Sequence, residues 1–152
     1  MCDPVTLAIV ASTAVSAYGQ KQQGDYANQV AKNNATTQGY MAADAIKRGE
    51  RDEQRHRLQV AQMKSEQRAA FGASGRDISG SAENIIADTA MMGELDALTL
   101  RSNAQREAYG HEVSAVNYKA EGKLAKKQGK YAAAGSLLSG AGSASASFKK
   151  YN

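Results

Sequence analysis

Large apolar side chains are scarce in this chain, and that scarcity limits its possible folds more than any other feature. Among 152 residues there is no Trp and there are only two Phe, Phe71 and Phe148. Leu, Ile and Val are sparse beside Ala, Gly, Ser and Gln. Apolar burial stabilises by about 25 cal/mol per Å², so a chain with so little to bury builds no thick core. Disorder, or long thin helices completed by partner chains, are the remaining outcomes. The single proline, Pro4, favours helices, because nothing after it removes a backbone donor.

The pattern therefore predicts an all-α fold: a long antiparallel helical hairpin, elongated and assembling with other subunits. Asp3 followed by Pro4 reads as a helix cap with proline at the first helical position. The expected divisions are an apolar N-terminal segment (1–19), a first long helix (20–71), a Gly/Ser turn (72–81), a second long helix (82–131) and a small-residue tract (132–152). The turn rests on Gly72, Gly75, Gly80 and Ser81, with Ser81 as the cap of the second helix and Glu83 near its positive dipole end. Residues 44–68 alternate in charge, as an exposed helix laced by pairs four apart does. The apolar stripe there is thin: Met41, Ala45, His56, Val60, Met63 and Ala70. In the second helix Met91, Leu95, Leu98, Ser102, Gln105, Tyr109, Val113, Val116, Ala120 and Leu124 follow steps of three or four. This predicts a coiled-coil-like packing stripe carried by Met91, Leu95, Leu98, Tyr109, Val113, Val116 and Leu124.

Folding back at the turn brings both termini to one end. Each terminal tract has small residues four apart: Ala8, Ser12 and Ser16 in one, Ala132, Ser136, Gly140 and Ala144 in the other. Such spacing lets helix backbones approach closely; a flexible Gly/Ser tail is the plainer reading of residues 139–152. The segment from Val5 to Tyr18 is apolar but shorter than the roughly 20 residues that span a bilayer. Val5, Leu7, Ile9, Val10 and Val15, with Leu137 and Leu138, are the candidate contacts to a membrane or a partner. Beside them stands a basic cluster of Lys119, Lys123, Lys126, Lys127 and Lys130. Residues 119–152 hold seven Lys against one Glu, whereas residues 1–118 hold 12 Lys and Arg against 14 Asp and Glu. These lysines suit anionic lipid or DNA phosphates in non-specific contact, or they solvate a helix face.

Chemistry finds no foothold. Gly72-Ala-Ser-Gly-Arg76 begins like a nucleophile elbow, but Arg76 replaces the closing glycine and no strand precedes it. Gly75 and Gly80 are not followed by Lys-Ser/Thr, so there is no phosphate-binding loop. His111-Glu112 has Ala115 where a zinc helix needs its second His. Cys2 is alone, which permits no intrachain disulfide. No catalytic residue, metal site or cofactor is expected. Among the seven tyrosines, Tyr118 and Tyr131 lie near the lysines, as base-stacking platforms do, but Tyr109 falls on the periodic stripe and favours packing.

Four stretches resemble the smaller internal virion (core, or ejection) proteins of T-seven-like short-tailed bacteriophages. Met1-Cys2 opens into a short Ala-rich apolar run, and a Gln/Asn/Ala-rich helix follows. The central block Arg68-Ala-Ala-Phe-Gly-Ala-Ser74, then Gly80-Ser81 and Ile85, is similar to the family's mid-chain turn. The second helix carries Glu94-Leu-Asp, Arg101-Ser-Asn and Arg106-Glu-Ala-Tyr109. The resemblance implies a homo-oligomer in the capsid interior near the portal, beside other internal virion proteins. It also implies ejection at infection and a channel across the host envelope, associated with the outer membrane. A structural adaptor without a membrane role and a DNA-binding helical protein are the competing readings. If partner chains complete the helices, circular dichroism should show high helicity only where sedimentation shows an oligomer. Equal helicity in a dilute monomer would contradict this.

Overall fold

Two helices account for almost all of the chain. The computed structural model describes residues 4–75 and 79–151, with side-chain surroundings from Ala8 to Ala146 apart from Ile9 and the gap at 76–78. Helix α1 runs Pro4–Ala73 and helix α2 runs Ser81–Tyr151, and no strand occurs among the described residues. Asp3, the expected N-cap, lies outside them. The helices are antiparallel partners in a hairpin. The small-residue tract continues α2 rather than ending it.

The turn is shorter than its composition suggests. Gly72 and Ala73 still belong to α1, so Gly72 is a helical residue and not a turn residue. Its carbonyl accepts from Gly75 N at 3.2 Å, and Ser74 N donates to Ala70 O at 3.1 Å. Gly75 then takes φ +68, the left-handed conformation that closes many helices and that glycine adopts without Cβ strain. Gly80 has φ +61 and its carbonyl accepts from Asn84 N at 3.1 Å. That makes Gly80 the capping position. Ser81, expected as the cap, is the first helical residue instead.

The chain divides into two compact units, one of Met1–Thr37 with Ser114–Asn152, the other of Gln38–Val113. In the second unit the two helices meet along Gln38, Ala42, Ala45, Gly49, Glu53, His56 and Val60 of α1 and Gly93, Ala97, Leu100, Ala104, Ala108 and His111 of α2. Steps of three, four and four track the 3.6 residues per turn of a straight helix. Ala45 and Ala97 are fully buried, and Ala42, Ala45 and Ala108 form the core cluster. A Cβ added to Gly49 would stand 2.1 Å from Ala104 Cβ, and one on Gly93 would stand 2.5 Å from Val60 Cγ2. Polar groups close the sides. Arg48 reaches Glu107 at 2.8 Å, Arg57 reaches Glu94 at 2.7 Å, and His111 Nδ1 meets Gln38 Oε1 at 2.7 Å.

The unit holding both termini obeys the same pairing rule: each step forward along α1 matches an equal step back along α2. Gly24 faces Gly129, Ala31 faces Gly122, and Thr13 faces Gly140. A Cβ on Gly24 would lie 2.9 Å from Ala125 O and 3.0 Å from Gly129 Cα, so here backbone meets backbone. Of the residues four apart, Ser136, Gly140 and Ala144 lie along the contact, whereas Ala132 is exposed. On α1 the contact falls on Thr13 and Ala17 rather than on Ser12 and Ser16, which are exposed.

Glycine substitutions should separate by position. Gly24→Val and Gly129→Val overpack the contact and should cost about 1–3 kcal/mol in urea unfolding. Gly39 has nothing within 4 Å of its Cβ direction. Gly39→Ala should therefore stabilise by about 1 kcal/mol through helix propensity alone.

Candidate functional site

Because methyl-sized groups fill the contact between the helices, the bulky apolar side chains point elsewhere. The periodic stripe expected to carry coiled-coil-like packing faces away from α1. Met91, Leu95, Leu98, Tyr109, Val113, Val116 and Leu124 are all between 41% and 67% exposed. Most stand two residues before a contact position, such as Leu95 before Ala97 and Val113 before Ala115. Two residues turn a helix by about 200°, which places them near its far side. Periodicity identifies one face of the helix, and that face is not the one α1 covers. The helix pairing goes instead to Ala and Gly, which permit the closer approach of two backbones. On α1, Ala45, His56 and Val60 do lie at the contact, whereas Met41, Met63 and Ala70 are exposed.

Near the termini, Val10, Val15, Leu137 and Leu138 are exposed, with Val15 at 73% and Leu138 at 74%. The side chains of Val5, Leu7 and Ile9 lie outside the described residues. Tyr26, Val30, Ala27 and Tyr118 line a shallow groove with Glu121 at its rim. No helix of the described residues is long and apolar enough to cross a membrane. Among them no cluster of His, Cys, Asp and Glu suits a metal ion.

Electrostatics distinguish the two units. In Gln38–Val113 charges of both signs are mixed and several are paired. Arg48 bridges Asp44 at 2.9 Å as well as Glu107, Arg57 bridges the buried Glu53 at 3.0 Å, and Arg55 pairs with Asp52. The Glu107 carboxylate, by hydrogen bond and by charge, holds the Arg48 guanidinium above its ordinary pKa, with Asp44 adding to it. His56 Nε2 lies 3.9 Å from Asp96 Oδ2, too far for a hydrogen bond.

In the unit of the termini the basic cluster resolves into a row. Lys119, Lys123, Lys126 and Lys130 stand one residue past the contact positions Tyr118, Gly122, Ala125 and Gly129, on one flank of α2. Lys127 is displaced by a further 100° or so and belongs to the back. Lys126 Nζ bonds Asp25 Oδ1 at 3.2 Å, which fixes the side of α1 that shares this flank. Lys21 and Lys32, four before and seven after Asp25, lie on that side too. Sequence reasoning missed these two. Their spacing around Asp25 was visible, but only the pairing register joins them to lysines a hundred residues on.

The fold and its surfaces define a class: an all-α hairpin whose contact is built from small residues and whose large apolar groups face outward. The model of the T7 virus internal virion protein gp14 family matches residues 1–152, and the chain belongs to that family. It is a bacteriophage internal virion protein, and its place is the virion. Comparison with curated proteins and with solved structures gave no match.

Outward-facing and inward-facing positions of α2 should respond differently in the isolated chain. Leu95→Ser with Leu98→Ser should shift monomer stability by no more than about 0.5 kcal/mol per site, the scale of surface changes. Ala97→Leu should destabilise it by about 1–3 kcal/mol. Urea titrations followed by circular dichroism decide between them.

Proposed function

We propose that this protein is a non-enzymatic component of the capsid core that leaves the particle at infection and helps form a channel across the host envelope for genome delivery. The observation that carries the reading is the outward apolar stripe of α2 together with the exposed Val10, Val15, Leu137 and Leu138. These groups gain burial only against other chains or lipid, at about 25 cal/mol per Å² covered. A lipid-facing wall would have to be shared among subunits, since neither described helix is apolar enough to cross alone. In this reading copies of the chain, other internal virion proteins and the portal cover the stripe inside the capsid. The host outer membrane meets the terminal segments after ejection.

Purified full-length protein should release dye from vesicles and float with them, and Val10→Asp with Val15→Asp should abolish both effects. Leakage that ignores these substitutions refutes the membrane role. Loss of the protein from particles during maturation, instead of its retention until infection, would mark it as a scaffold-like adaptor.

A further inference from the structure

We propose that the unit of the termini carries a composite basic face, built from both helices, that binds the phosphate backbone of duplex DNA. This inference does not depend on the channel reading. Its members are Lys119, Lys123, Lys126 and Lys130 of α2 with Lys21 and Lys32 of α1, and the Lys126–Asp25 bond sets both rows on one side. Asp25 is the one acid on that face among the described residues. Glu121, the unit's other described acid, lines the groove on the opposite flank.

Three features favour a polyanion of regular spacing. First, the lysines are exposed, and of the six only Lys126 has an ion-pair partner among the described residues. Second, steps of four, three and four along α2 put its lysines about 4.5–6 Å apart on a stiff rod. The row from Lys119 to Lys130 thus covers about 16 Å. A duplex presents one negative charge per roughly 1.7 Å of its axis, so this length faces more phosphates than it has cations. Third, the face lacks the apolar half that a membrane-surface helix inserts beside its lysines. Over the span of the two rows, the large apolar residues turn away: Tyr26 and Val30 line the opposite groove, and Leu124, three past Glu121, falls on that same side. Binding would be independent of base sequence, because lysines on phosphates position a duplex without reading it.

The test is fluorescence anisotropy of a labelled mixed-sequence duplex titrated with the full chain between about 50 and 200 mM salt, the range where counterion release is steep. Log affinity should fall with log salt at a slope of about −4 or steeper, since each neutralised phosphate contributes about −0.9. Lys21→Gln with Lys32→Gln should weaken binding and make the slope shallower by about 2. Asp25→Asn should tighten binding severalfold. Lys47→Gln with Lys64→Gln, in the other unit, should change neither. Lys21, Lys32 and Lys47 are exposed and Asp25 and Lys64 half-buried, and circular dichroism checks that each variant keeps its helicity. Two results overturn the proposal: no duplex binding at the lowest salt, or binding indifferent to Lys21 and Lys32. Capture of phosphatidylglycerol vesicles through the same lysines, with duplex unable to compete, would assign the face to lipid and also overturn it.

Discussion

Everything in this structure follows from two helix backbones held close by a contact in which glycine and alanine recur at nearly every turn. Where Gly24 faces Gly129 there is no room even for a methyl group, and a Cβ on either would meet backbone atoms at 3.0 Å or less. A close contact of this kind gains dispersion from many weak atom pairs rather than from a few large burials. It tolerates neither enlargement nor slippage. Thr13 against Gly140 and Val60 against Gly93 are the places where a larger side chain fits a gap opposite, and they give the contact its register. Ion pairs at its margins, Arg48–Glu107 and Arg57–Glu94 in one unit and Lys126–Asp25 in the other, agree with that register. They are half exposed, so each adds little energy of its own.

A small-residue contact also decides what the rest of the chain is free to do. The bulky apolar groups are released from holding the monomer together, and the charged groups sort by unit. Charges of both signs, several of them paired, cover Gln38–Val113, while the unit of the termini concentrates lysine on one flank and Tyr and Val on the other. One fold therefore offers chemically different surfaces without any loop. Such a division of surfaces is found here in a member of a family of internal virion proteins.

Much of the fold was legible because it depends on absences. Without proline after Pro4, and with glycine concentrated between residues 72 and 80, a chain poor in Leu, Ile and Val has few alternatives to a helical hairpin. The direction of the faces was not legible in the same way. Hydrophobic periodicity identifies a face but not its occupant. The stripe of Leu95, Leu98 and Val113 reads as a packing face, but its spacing does not say whether α1 or another chain covers it. Here Ala97, Ala104 and Ala108, on the far side of the same helix from that stripe, meet α1. Likewise Ser81 had the side chain of a cap, but Gly80 had the conformation for one. The lysine cluster was visible as a count and not as a surface. Lys21 and Lys32 join it only through the pairing of helices, which one sequence does not print.

The turn-by-turn evenness of the contact has a mechanical side. A protein with a dense nucleus resists pulling until the nucleus breaks, and then gives way at once. Near the termini of this hairpin the holding groups are Thr13, Ala17, Gly24 and Ala31, spread over successive turns with none dominant. Tension applied at the open end would therefore meet a series of small, similar barriers, and the two helices of the hairpin should peel apart gradually, as Velcro does, at forces well below those that rupture a globular domain.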